Sequence, residues 1–148
     1  MSALDNKAVH RRLVEAANNG TLAEAAEVLF TATHVWHEPR PGAPPRLAIG
    51  PQGTRDYAAT LFAAFPDLQT TIDDQLAEGD KVMTRWTQRG THRGEFMGIA
   101  PTGKHVTVTG ITISRIEGGK MAETWTYVDT LSLFQQFGAF PQIAQAGA

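Results

Sequence analysis

No cysteine occurs anywhere in the 148 residues. That absence removes disulfides, thiolate nucleophiles and cysteine-built zinc sites together, and leaves the redox compartment open. Charge of one sign is also lacking: 13 basic residues stand against 15 acidic ones, spread along the chain, for a net charge of −2. Such a balance offers no footprint for nucleic acid and no attraction to an anionic membrane. No apolar run approaches the ~18 residues of a membrane span. The opening Met-Ser-Ala-Leu-Asp-Asn-Lys lacks the basic-then-apolar layout of a signal peptide. A soluble, cytoplasmic protein is the expectation. Gly-x-Ser-x-Gly nucleophile elbows and dinucleotide-binding glycine patterns are missing too. What is present is a 42% hydrophobic share, sufficient for one domain over 1–148 to bury a core.

Apolar residues Val9, Leu13, Val14 and Ala17 fall at helical spacing between Lys7 and Asn18, and Asn18-Asn19-Gly20 stops that helix. Thr21-Leu-Ala-Glu24 reads as a capping box for a second helix with Leu22, Ala25, Ala26, Leu29 and Phe30 on its buried stripe. His34-Val35-Trp36-His37 suits a short extended piece. The segment 38–52 then reads as a loop, with five prolines and two glycines between Glu38 and Pro51. Helical spacing resumes from Gly53 to Phe65 and ends at Pro66. From Leu68 the pattern turns to strand, with hairpin turns at Glu78-Gly79-Asp80-Lys81 and Glu117-Gly118-Gly119-Lys120. Gly110, where apolar parity changes along His105 to Ile116, is expected to mark a β-bulge. Leu131 to Phe137 closes the fold as a helix, and 139–148 is expected to be a loose tail.

Three helices, four long antiparallel strands and a short helix predict an α+β fold. If the curved sheet wraps the N-terminal helices, the result is a cone with a pocket at its open end.

Met121, Glu123, Trp125, Tyr127 and Asp129 share one strand parity. If that parity faces the pocket, Asp129 is a carboxylate against aromatic walls, with a raised pKa suited to acid–base work. Spacing supports a second reading at least as well: Asp129 directly precedes Thr130-Leu131-Ser132-Leu133, as a helix N-cap does. His92, in register with Val82, Thr84, Trp86 and Gln88, is a candidate second proton-handling group; as a structural residue it is a partly exposed hairpin-end histidine. His34, His37 and Glu38 invite a metal, but an extended His-x-x-His turns its rings to opposite faces, so no metal site is expected. His37 reads better as a hydrogen-bonding pocket residue. Gly98-Ile-Ala-Pro-Thr-Gly103-Lys104-His105 resembles a phosphate loop, yet it lacks the metal-binding hydroxyl and leads into a strand. It reads instead as a hinged loop with Phe96 and Met97 at the pocket lip.

Several blocks resemble the SnoaL-like polyketide cyclases of the nuclear-transport-factor-like superfamily. They are Phe65-Pro66-Asp67-Leu68, Glu78 to Val82, Gly90 to Gly98, Pro101-Thr102-Gly103, Gly110-Ile111, Arg115-Ile116, Trp125-x-x-x-Asp129-Thr130-Leu131 and Gln135-Gln136-Phe137-Gly138. Together they span most of 65–138. The resemblance implies a cone fold and an intramolecular aldol cyclisation of an aromatic polyketide ester without metal or organic cofactor. It implies Asp129 as general acid/base with a histidine partner. The strand Val106 to Ile116 carries no histidine in its interior, so His92 and His37 are the substitutes. An apolar or aromatic ligand, held by Trp36, Phe65, Trp86, Phe96, Met97 and Trp125, is the expected partner, and a homodimer through the outer sheet face is implied.

Two other functions stay open. A non-catalytic module could hold a polycyclic compound in the same pocket. Epoxide hydrolysis, or a role in a hydroxylation step, would use the same fold; the hydrolase needs two carboxylates and an arginine to converge. Arg85 and Arg89 lie on the register opposite His92, which argues against that convergence.

Overall fold

A serine two residues into the chain starts the first helix earlier than apolar spacing alone predicts. In the computed structural model, which describes residues 2–40, 44 and 46–139, α1 runs over Ala3–Asn19. Ser2 Oγ accepts the Asp5 N–H at 3.1 Å, and the Asp5 carboxylate accepts the Ser2 N–H at 3.0 Å. This is a reciprocal capping box. The box expected at Thr21 does not form: its backbone is not extended, and its hydroxyl turns back to the Ala16 carbonyl, 3.5 Å away. α2 spans Leu22–Leu29, and Phe30 already belongs to the strand that follows.

The remaining elements are β1 (Phe30–His37), β2 (Ala48–Ile49), α3 (Gly50–Ala64), β3 (Gln69–Glu78), β4 (Lys81–Thr91), β5 (His105–Glu117), β6 (Lys120–Val128) and α4 (Thr130–Phe137). Pro51 sits in the first turn of α3, where a missing N–H costs nothing, so the helix takes the end of the expected 38–52 loop. Residues 41–43 and 45 of that loop, and the tail from 140 on, lie outside the described residues.

The strands form one curved, unclosed sheet in the order β2-β1-β6-β5-β4-β3. The fold class is α+β, as expected, but the sheet has six strands and is mixed, because β1 runs parallel to β6. α1 packs on β3 and β4 near one edge, while β1 and β2 hold the other.

Two expectations about the strands are corrected. The pairing of β4 with β5 runs unbroken through Trp86↔Gly110, so Gly110 is no bulge; the register shift between β5 and β6 falls at Arg115/Ile116. The even positions Val106, Val108, Thr112, Ser114 and Ile116 face inward throughout, and Ile111 and Ile113 simply lie on the outer face. Gly110 is required for another reason. The Trp86 indole lies against it, and a Cβ there would overlap Cζ2 and Cη2 of Trp86 and come within 2.7 Å of the Tyr127 carbonyl oxygen.

From Ala122 on, the inward parity of β6 is likewise the even one; Met121, beside the register shift at Arg115/Ile116, is fully buried as expected. Ala122, Thr124 and Thr126 are buried, whereas Tyr127 is 59% exposed. Apolar content misled here because hydroxyl side chains, not aromatics, line the inner face. They satisfy one another: Trp86 Nε1 donates to Thr112 Oγ1 at 2.9 Å, and Thr112 Oγ1 stands 3.1 Å from Thr126 Oγ1.

Two apolar cores result. One gathers Val9, Leu13, Leu22, Leu29, Phe30 and Met121 beneath α1 and α2; the other gathers Phe65, Trp86, Phe96, Val106, Leu133 and Phe137 beneath α3 and α4. Among the described residues, no helix is long and apolar enough to cross a membrane.

Candidate functional site

The cavity takes its lining from both cores. The space it leaves for the centres of water molecules is about 140 Å³. Its walls are mostly apolar, which suits a ligand with little polarity of its own. The expected pocket residues Trp36, Phe65, Trp86, Phe96 and Met97 all line it.

The other expected site residues are elsewhere. Asp129 is exposed and caps α4: its Oδ1 accepts the Ser132 N–H at 3.1 Å. It does not line the cavity, whereas its neighbours Val128 and Thr130 do. Strand parity explains this, since a residue one step from an inward position points out. Trp125, on the same outward parity, stacks on His37 with ring centroids 5.7 Å apart. His37 Nε2 is 3.4 Å from Glu123 Oε2. Both rings decorate the outer face rather than the pocket.

His92 is fully buried rather than a partly exposed hairpin-end residue. Its ring lies between Phe65 and Phe137, with centroids at 5.5 and 4.2 Å. Nδ1 accepts the Thr102 N–H at 3.2 Å and pairs with Thr102 Oγ1 at 3.0 Å. That contact, with backbone bonds from His92 N to Lys104 O and from Gly103 N to His92 O, ties down the loop bearing Phe96 and Met97. Burial lowers its pKa and favours the neutral ring. The structure does not bring His92 together with Asp129 in the cavity.

The carboxyl that reaches the cavity is Glu38. It follows His34 and Trp36 at two-residue steps along the inward register of β1, and Arg40 continues the series. Glu38 is only 6% exposed. The Tyr57 hydroxyl donates to Glu38 Oε2 at 3.1 Å, and Arg40 Nη1 lies 3.7 Å from Oε1. Burial pushes the Glu38 pKa up from 4.5, against the opposing pull of Arg40 and of the Tyr57 hydrogen bond. Burial and the Glu38 charge raise the Tyr57 phenol further, so it stays a donor. The Arg40 guanidinium sits 5.6 Å from the Tyr57 ring centre and 5.3 Å from that of Phe96. Cation–π attraction thus fixes the arginine between α3 and the loop lip. Period-two reading of His34-x-Trp36-x-Glu38-x-Arg40 is the signal that finds this group; Pro39 within it and Pro41 just after it hide the signal.

One carboxyl and one guanidinium therefore converge among the described residues, not the two carboxylates and arginine that epoxide hydrolysis requires. No three His, Asp or Glu side chains come together there in a metal-binding cluster. His34 faces inward, bonded through Nε2 to Thr124 Oγ1 at 2.9 Å, while His37 faces out.

Fold and cavity define a cone-shaped α+β pocket protein of the nuclear-transport-factor-like kind, helices inside a curved sheet and a deep apolar pocket. The chain belongs to the SnoaL-like polyketide cyclase family, whose model matches residues 7–137. It is similar to IdmH of Streptomyces antibioticus, a proposed polyketide cyclase, at 34% identity, with 90% of this chain and 98% of that one covered and a TM-score of 0.77. AclR of Streptomyces galilaeus, a proposed hydroxylase, is 27% identical with a TM-score of 0.81, over 97% of this chain and 91% of that one. TsrD of Streptomyces laurentii is also 27% identical, with a TM-score of 0.80 over 95% and 99%. A search of curated proteins finds no match.

Proposed function

We propose that the protein is a cofactor-independent cyclase that closes a ring in an aromatic polyketide-like substrate by an aldol reaction, with Glu38 as its proton carrier. The observation that carries this reading is the buried carboxyl in a mostly apolar cavity, contacted by a phenol and a guanidinium. A raised pKa brings such a carboxyl toward the range where it can take up and return a proton near neutral pH.

The step balances on that one group. The Glu38 carboxylate removes a proton from a carbon flanked by carbonyls. The Tyr57 hydroxyl and Arg40 face the negative charge that develops on the enolate oxygen. The enolate carbon attacks a ketone of the same molecule, and Glu38 returns its proton to the new alkoxide. The apolar walls hold the chain folded for attack and exclude water. Asp129 has no part in this scheme beyond capping α4.

A second reading rests on a specific contact. Both Glu38 oxygens already have partners, as in a fixed binding site, so the cavity could hold a polycyclic compound unchanged. Incubation with a linear aromatic poly-β-keto ester separates the two. The cyclase gives a cyclised product whose formation collapses in Glu38→Gln while binding persists; a binding module gives none with either protein.

The proposed assembly is a homodimer through the outer sheet face. There the pairings Leu76↔Met83, Met83↔Ile113 and Ile113↔Trp125 align four apolar side chains across the sheet. Leu76 is 57% exposed, which leaves this row open to a second copy.

A further inference from the structure

On α1, the cavity meets a histidine that the cyclisation scheme does not use. His10, on α1, lines the cavity and is only 4% exposed. Nδ1 is sealed from solvent without a hydrogen-bond partner among the described residues. Nε2 makes no hydrogen bond to a described residue and is not sealed in the same way, so of the two ring nitrogens it is the one left to meet a ligand. We propose that His10 is a specificity-determining contact: as the Nε2–H tautomer, it donates a hydrogen bond to an uncharged carbonyl or hydroxyl oxygen of the ligand.

The tautomer follows from the orphaned atom. A proton on Nδ1 would bury an N–H with nothing to receive it, the rarer and costlier defect, whereas a bare lone pair there is better tolerated. The proton therefore belongs on Nε2, where a ligand can accept it. Burial keeps the ring neutral, with its pKa lowered to about 4, so it offers a dipole and no cation. A carboxylate brought to this wall would lose its hydration without gaining a counter-ion. Ketones, quinones and phenols match what His10 supplies, and Arg40 and Glu38 lie on β1's side of the sheet, away from the β3–β4 edge that α1 covers. A ligand spanning the cavity thus meets a proton carrier on one wall and a fixed neutral donor on the other.

This inference rests on the cavity being the ligand site, and the test separates the two. Calorimetric titrations would compare 2-acetylnaphthalene, its hydrocarbon analogue 2-ethylnaphthalene, and 2-naphthoate. The ketone should bind wild type about tenfold more tightly than the hydrocarbon, with naphthoate weakest. His10→Phe should erase the preference for the ketone and leave hydrocarbon binding intact; His10→Gln, which keeps a donor, should retain part of it. Imidazole nitrogen NMR on wild type needs no substitution: the His10 Nε2–H resonance should shift with the ketone and stay put with the hydrocarbon. Equal binding of ketone and hydrocarbon by wild type, or a preference that survives in His10→Phe, overturns the proposal alone. Failure of every probe to bind overturns the ligand-site reading and the proposal with it.

Discussion

The Tyr57 hydroxyl donates to Glu38 Oε2 across 3.1 Å, joining α3 to the end of β1 inside the cavity. This bond ties Glu38 to α3, which lines the cavity with Thr54, Tyr57, Ala58, Leu61 and Phe62. It also sets Glu38 against the Trp36 side of the pocket, since the Tyr57 and Trp36 ring centres are 5.7 Å apart. Tyr57→Phe keeps the aromatic wall and removes the donor. Activity should fall by about 10- to 100-fold through kcat more than KM, because the phenol is needed most when charge develops. Steady-state kinetics on the cyclisation would check this.

Asp129 should behave as a cap. Asp129→Ala removes the acceptor for the Ser132 N–H and should lower stability by about 1 kcal/mol. Asp129→Asn retains an acceptor and should cost much less. Urea unfolding of the two variants beside wild type measures the difference.

Acid should loosen the fold through its buried histidines. His10 and His34 both have pKa values lowered by burial from 6.5 to about 4. Between those values the unfolded chain binds protons that the native state refuses, so stability falls as pH drops from 6.5 toward 4. His10→Phe removes one such proton, and its stability curve should be flatter over that interval by about one proton's slope. Unfolding free energies across pH 4 to 7, read for wild type and variant, test the sign.

Glu38 should act in the opposite sense. Its native pKa is raised, so the folded state holds the proton more firmly than the unfolded chain does. The stability this adds is present at low pH and is lost as pH rises upward from 4.5 through the native value. Glu38→Gln should therefore gain stability relative to wild type as pH climbs through that window, visible in thermal midpoints.

On the outer face, Ile113→Asp places a charge at the centre of the apolar row and should turn a dimer into a monomer with the cavity intact. Light scattering after size exclusion gives the mass directly.

The fold was largely legible because its cues are local. The turns at Gly79 and Gly118, the stop at Gly20 and the helical stripe of Leu13 and Val14 each declare themselves within a few residues. The pocket aromatics Trp36, Phe65, Trp86 and Phe96 were legible too, being large apolar groups on inward registers. Parity was lost where the inner face turned polar: Thr112, Ser114, Thr124 and Thr126 are buried hydroxyls that satisfy one another, so the apolar Ile111, Ile113, Trp125 and Tyr127 suggested the wrong side. Asp129 followed that error by one residue. Glu38 and Arg40 were hidden because they lead directly into prolines, and His10 because a polar residue on an amphipathic helix ordinarily faces water. Only its packing beside the cavity gives it a different meaning.

The most direct test sets two carboxyl variants side by side in the cyclisation of a linear aromatic poly-β-keto ester, with kcat measured for each. If Glu38 carries the proton, Glu38→Gln should lose about 100-fold or more and Asp129→Asn should stay within a few-fold of wild type. Full activity in Glu38→Gln with collapse in Asp129→Asn would contradict the account.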